Sequence, residues 1–206
     1  MYLASLVMVW TIAISLVQEP SLSVFTIDEA RSKIEISVFR GGLLKLAGHD
    51  HKITAKRFRG EVLFDPAKLE DSSVHLIIES GSLTVIDDPG ESDKDRREVQ
   101  QTMESEKVLN IKEFPQILFN STGVSNIAKT GEDFILSGRF NLHGVEKAVT
   151  FPVHIHAENN RLRATGTLTI AQTDFGMKPI TAALGAIRVK DKVIVKFDFL
   201  AERTNK

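Results

Sequence analysis

From Val24 onward, hydrophobic and polar positions alternate with a period of two. Phe134, Leu136, Gly138, Phe140 and Leu142 share one face, with Ser137, Arg139 and Asn141 on the other. Val149, Phe151, Val153 and Ile155 alternate with Thr150, Pro152, His154 and His156. Leu162, Ala164, Gly166, Leu168 and Ile170 alternate with Arg163, Thr165, Thr167 and Thr169, and Val193, Val195, Phe197 and Phe199 with Lys192, Lys196 and Asp198. Alternation of this kind marks half-buried antiparallel strands. Residues 34–38, 58–64, 74–78 and 117–119 carry shorter versions of it.

Turn chemistry separates these runs: Gly41-Gly42, Asp65-Pro66, Lys129 to Glu132, His143-Gly144, Asn159-Asn160 and Lys190 to Lys192. About eight strands in consecutive hairpins follow from that spacing. One stretch changes period. After Asp87-Asp88-Pro89-Gly90, residues 92–109 read as a helix, with Ser92 or Asp93 as its cap and Val99, Met103, Val108 and Leu109 on its apolar side. Consecutive hairpins with one apolar face each close most simply into an up-and-down barrel, because closure removes exposed edges. The expected fold is therefore all-β with one helix: an antiparallel up-and-down barrel of about eight strands. Eight strands leave an interior that is either filled by side chains or holds one small ligand. Periodicity is the same for both.

The charge distribution divides the chain of 206 residues. Residues 1–18 carry no charged side chain and are rich in Leu, Val and Ile. That is the length of a secretory h-region, with Ala13 and Ser15 at signal-peptidase spacing, although no Lys or Arg precedes it. Residues 1–23 are read as a signal peptide or an N-terminal anchor and 24–206 as one domain, placed in the periplasm or secreted. The 26 basic and 27 acidic residues leave no electrostatic footprint for nucleic acid. The absence of cysteine excludes disulfide frameworks and thiol catalysis. Tyr2 and Trp10 lie in the leader, so the domain's aromatic residues are the 12 Phe, which suit a greasy lining. No nucleophile elbow, phosphate-binding glycine loop or His-Glu-x-x-His motif occurs, and no enzyme is expected.

The ordered segments FTIDEARSKIEISVFR, FRGEVLFDP, DRREVQQTMESEKVLNIKEFPQILFNST, LSGRFNLHGVEKAVTFPV, TDFGM and KDKVIVKFDFLAER, covering Phe25 to Arg203, resemble the YceI-like family of polyisoprenoid-binding domains. The resemblance implies an extended antiparallel barrel of lipocalin-like shape partly closed by a helix, export, and an apolar pore for a long isoprenoid or fatty-acyl chain, with no cofactor. On that basis the lining is assigned to Ile36, Val38, Val62, Phe64, Leu76, Phe119, Phe134, Leu136, Phe140, Phe151, Val153, Leu168, Val195 and Phe197. The implied partner is the lipid; a homodimer and an inner-membrane partner are compatible with it.

The chain departs from the family at Gly48-His49-Asp50-His51, where many relatives carry a His-Leu-x-Ile-like stretch. If Ile53 and Ala55 point inward, so do His49 and His51, and a bulge near Lys56-Arg57 is then needed to bring Phe58, Val62 and Phe64 inward as well. His49 and His51 are therefore candidates for contact with a ligand head group at the barrel mouth. They are also weaker candidates for a metal, with Asp50 or Asp174 in support. Two rivals stand beside the carrier reading. One is a metal- or haem-associated redox partner or enzyme using His49, Asp50 and His51; the other is a filled-barrel structural module in an envelope stress response. His154 and His156 fall on the outward parity, and His143 in a turn. Arg96 and Arg97, in a mixed-charge helix start, are alternatively placed near the pore mouth to attract an anionic head group.

Overall fold

The computed structural model describes residues 22–41, 50–86, 92–182 and 187–204. The chain forms β1 (Ser23–Ile27), β2 (Lys33–Gly41), β3 (His51–Ala55), β4 (Phe58–Phe64), β5 (Ser73–Glu79), β6 (Leu83–Val85), α1 (Asp93–Glu104), β7 (Gln116–Ser125), β8 (Asp133–Leu142), β9 (Val145–Glu158), β10 (Arg161–Ala171), β11 (Thr181–Ala182) and β12 (Ile187–Arg203). Eight of the strands close antiparallel in the order β1-β4-β5-β7-β8-β9-β10-β12 and back to β1. β2, β3 and β6 continue the wall from β12 above β1, β4 and β5.

The meander is thus up-and-down, but its first three passes are each creased at one level. A 3-10 turn at Glu29–Arg31 separates β1 from β2, and Lys56-Arg57 separates β3 from β4. A second 3-10 turn at Ser80–Ser82 separates β5 from β6. The crease is a hydrogen-bonded seam: Lys56 N–H donates to Ser82 O, and Glu79 N–H and Ser82 Oγ donate to Arg57 O. It supplies the parity change that the sequence demands, since Ile53 and Ala55 are buried before it and Phe58 and Phe64 after it.

Above the crease the wall parts twice. Among the described residues β6 has no strand beyond it, and the β9–β10 ladder stops at Val153–Gly166. The next β9 residue is Pro152, which has no N–H to donate. The β6 edge is covered by α1. Ser92 caps that helix, its hydroxyl accepting from Asp95 N–H at 3.1 Å. The helix ends at Glu104, short of the Leu109 that periodicity suggests. Ser105 takes an extended conformation and its hydroxyl donates to Thr102 O, after which Leu109 is carried back by turns to bury beside Met103.

His143 and Gly144 both take positive φ, 54° and 74°, as a tight hairpin turn requires. Lys190 to Lys192, by contrast, is no turn. β12 runs straight through it with a bulge between Val189 and Val193. Two contacts hold the bulge: Asp191 Oδ1 accepts from Thr173 N–H at 2.9 Å and Asp191 Oδ2 from the Thr173 hydroxyl at 2.7 Å. Those bonds hold the Asp191 carboxyl below its ordinary pKa. Residues 1–21 of the leader, the Asp87 to Gly90 stretch and His49 lie outside the described residues.

Candidate functional site

The inward faces of the closed ring line an apolar, partly open cavity of about 150 Å³. Twenty-odd residues from every strand of the ring line it, and Ser72 and Ser73 are the polar ones among them. Of the lining assigned from sequence, Val62, Phe64, Leu76, Phe119, Phe134, Leu136, Phe140, Phe151, Val153, Leu168, Val195 and Phe197 all face this space. Ile36 and Val38 do not, because they lie further along β2 than Ile34, which reaches the cavity; both pack against the core instead.

Phenylalanine rings fill much of the barrel. Phe119, Phe151, Phe197, Phe199 and Phe58 form one column, with successive centroids 5.5, 5.9, 5.0 and 5.7 Å apart. The column explains two strand glycines. A Cβ at Gly138 would lie 2.3 Å from the Phe119 ring, and one at Gly166 2.4 Å from that of Phe197. The free space is on the order of an engineered cavity that admits benzene, and smaller than the roughly 300–1,000 Å³ of sites for drug-sized ligands. A longer chain enters only as these rings turn aside.

The end of the barrel formed by the loop after β4 is plugged. Buried Asp65 accepts from Ala67 N–H at 2.9 Å and Lys68 N–H at 3.2 Å, and Asp65 N–H donates to Ser72 Oγ. This folds 65–72 into a compact loop that drives Leu69 into the cavity lining. The opposite end is covered by α1 and by the 3-10 turn Gln172–Phe175, whose Phe175 is 1% exposed and packs edge-on against Phe140.

Beneath α1 lies a second cavity of about 370 Å³, and it is of mixed character. Val38, Phe39, Arg40, His51 and Ile53 from β2 and β3 form one wall, Ile180, Arg188 and Val189 another, and Gln172 adds an amide. The helix contributes Asp95, Glu98, Val99, Thr102 and Met103, with Val108 just beyond it. Sequence reading assigned Val38 and His51 to the ligand site but missed the rest. The signal was there, in the spacing i, i+3, i+4, i+7, i+8 from Asp95 to Met103, a single helical face.

That face is acidic, so the helix turns carboxylates to the cavity. Arg96 and Arg97 are not among the lining residues, and Arg96 pairs with Asp93 at 2.9 Å. This corrects the alternative placement of the two arginines at a pore mouth. His51 is half-buried on the inward parity with Ile53. Asp50 has a structural role: Oδ1 accepts from Arg40 N–H at 2.9 Å, joining the ends of β2 and β3. Among the described residues no three metal-ligating side chains come together. His154 and His156 are exposed on the outer wall beside Asp133 and Glu132, at 2.9 and 3.4 Å. His143 Nδ1 lies 3.3 Å from Phe175 O, and its ring packs on Phe114.

The comparisons agree with this architecture. A UPF0312 protein of Shewanella denitrificans is 28% identical over 155 residues, 72% of this chain and 73% of that protein. One of Shewanella baltica is 32% identical over 127 residues, 59% of this chain and 61% of its own length. Among solved structures, Burkholderia cenocepacia BcnA superposes with a TM-score of 0.66 at 22% identity, covering 84% of this chain and 98% of BcnA. The Campylobacter jejuni YceI protein does so at 0.58 and 15%, covering 75% and 85%. At these identities the two structures speak for the fold alone. The model of the YceI-like domain matches residues 25–201, and the chain belongs to that family.

Proposed function

We propose that this is an exported, non-enzymatic binding domain whose barrel holds the apolar chain of an isoprenoid or fatty-acyl lipid for transport, storage or sequestration. The observation that carries the reading is the lining. A closed ring of strands turns Phe, Leu, Ile and Val inward, and its two hydroxyls sit together beside the plugged end. Such a space offers a chain about 0.8 kcal/mol for each CH₂ removed from water and almost nothing to a polar solute. Export rests on the charge-free residues 1–18.

The cavity volume favours a second reading, a barrel filled by its own side chains that serves as a structural module. Native mass spectrometry of the protein recovered from the exported fraction separates the two. A bound mass of several hundred daltons, released by organic solvent, is the expected result. A bare mature chain that also takes up no lipid from mixed-lipid vesicles points to the filled module. An added metal mass lost in the His49→Ala/His51→Ala double variant would replace both with the metal-based rival.

A further inference from the structure

The two cavities follow one another along the same strands. On β2, Ile34 lines the barrel cavity and Val38 the cavity under α1, with Ile36 between them. On β12 the corresponding residues are Val195 and Val189, with Val193 between; on β10 and the turn after it they are Leu168 and Gln172, with Ile170 between. In the ladders Ile36 stands beside Val195 on one side and Ile53 on the other, and Val193 is register partner to Val38 and Ile170. The partition is therefore one side chain deep on β2 and on β10 with its turn, while on β12 Val193 and the bulge Lys190 to Lys192 stand between Val195 and Val189. Ile36, Ile170 and Val193 are aliphatic and carry no polar atom that would have to be desolvated or re-paired when they move.

We infer that the two spaces are one binding tract, and that the cavity under α1 holds the uncharged polar head of an amphiphile whose tail lies in the barrel. This rests on the reading of the barrel as an apolar-chain site. The orientation follows from the two ends. At the plugged end Ser72 Oγ is already engaged by Asp65 N–H, and Leu69 closes the way out. Under the helix, donors and acceptors face a space that is still bounded by Val38, Ile53, Val99 and Met103.

The nature of the head follows from charge. Among the described residues the cavity is lined by two guanidiniums, Arg40 and Arg188, and two carboxylates, Asp95 and Glu98, with Asp50 3.8 Å from Arg40 and Lys94 3.9 Å from Glu98, so this lining favours neither an anionic nor a cationic head. A hydroxyl head meets a guanidinium to accept from and a carboxylate to donate to, a carbonyl head meets the guanidinium alone, and either costs far less to desolvate than a charged head.

Three C20 isoprenoid probes test this by displacement of a fluorescent apolar dye: the primary alcohol geranylgeraniol, the hydrocarbon phytane, and geranylgeranyl diphosphate. The alcohol is expected to bind about tenfold more tightly than either of the others, the equivalent of one well-made hydrogen bond to a charged partner. Val99→Trp fills the cavity under α1 and is expected to remove that preference while phytane binding persists. Arg188→Gln/Glu98→Gln, a double substitution of two exposed residues that line the cavity, gives the same readout should Val99→Trp fail to fold. Undiminished preference in these variants, or a diphosphate that binds most tightly, overturns the inference and leaves the barrel reading standing. Failure of all three probes to bind the parent protein overturns the barrel reading and this inference together.

Discussion

Gly166 stands directly opposite Phe197 in the β10–β12 ladder, and the glycine's missing side chain is the space in which that ring lies. A Cβ there would also come within 2.8 Å of Pro152 O, a backbone atom that cannot swing away. The ring in turn stacks on Phe199 at 5.0 Å and meets Phe151 edge-on at 5.9 Å. Gly166→Val therefore pushes Phe197 along the column into the cavity. The expected cost is about 1–3 kcal/mol of stability, as for overpacked cores, together with loss of apolar-dye binding. Chemical denaturation and dye titration on the same sample check both. A variant that is destabilised yet binds dye normally would show that the column does not border the binding space.

Phe151 is the middle of the same column, touching Phe119 on one side and Phe197 on the other. Phe151→Ala should cost about 3–5 kcal/mol, the range for truncating a buried aromatic, and leave an enlarged dry cavity. Naphthalene should then raise the melting temperature of the variant more than that of the parent, because ligand that binds only the folded state stabilises it by mass action. Equal shifts in the two proteins would show that the rings do not occupy the ligand's path.

Period-two alternation made the barrel legible, because one residue per strand step faces in and the chemistry of inward positions is so uniform. The parity conflict between Ile53 and Phe58 even located the crease at Lys56-Arg57. Other features left no trace in alternation. Lys190 to Lys192 has turn composition, yet Thr173, distant in sequence, holds it as a bulge. Ile36 and Val38 share the inward parity of Ile34 but lie further along β2, and nothing local tells that strand that Ile34 borders one cavity and Val38 another. That second cavity was hidden for the same reason: its walls come from β2, β3, β12, the turn after β10 and α1, which only the closed fold brings together.

Gln100 performs the work of a missing strand. Its side-chain carbonyl accepts from Val85 N–H at 2.9 Å and its amide donates to Leu83 O at 2.8 Å, so the open edge of β6 is paired by a helix residue. The same amide also donates to Glu104 Oε1. Gln100→Leu keeps the volume and removes both edge bonds, leaving two backbone groups short of partners. A loss of about 1–3 kcal/mol is expected, concentrated at α1 and β6. Hydrogen exchange should quicken at Val85 and along the helix while β8 and β9 stay protected, and dissociation of bound lipid should accelerate. Unchanged exchange at Val85 would rule out Gln100 as the latch of the helix.

On the outer wall Arg163 and Asp198 meet in a two-pronged pair, at 2.8 and 2.6 Å, across β10 and β12. The guanidinium holds the Asp198 carboxyl below its ordinary range. A carboxyl whose pKa falls on folding adds stability that is fully present above its unfolded value, about 3.9. That stability is lost as pH drops through the lowered, folded value. Both side chains are well exposed, so the contribution is less than about 1 kcal/mol and salt weakens it. Asp198→Asn should therefore be slightly less stable than the parent at pH 7. The gap should shrink in 1 M salt and close as pH falls from about 4 towards 2. Urea denaturation of both proteins across that range checks the sign. A gap that widens on acidification would mean that Asp198 stabilises the ladder through its protonated form, contrary to the geometry of the pair.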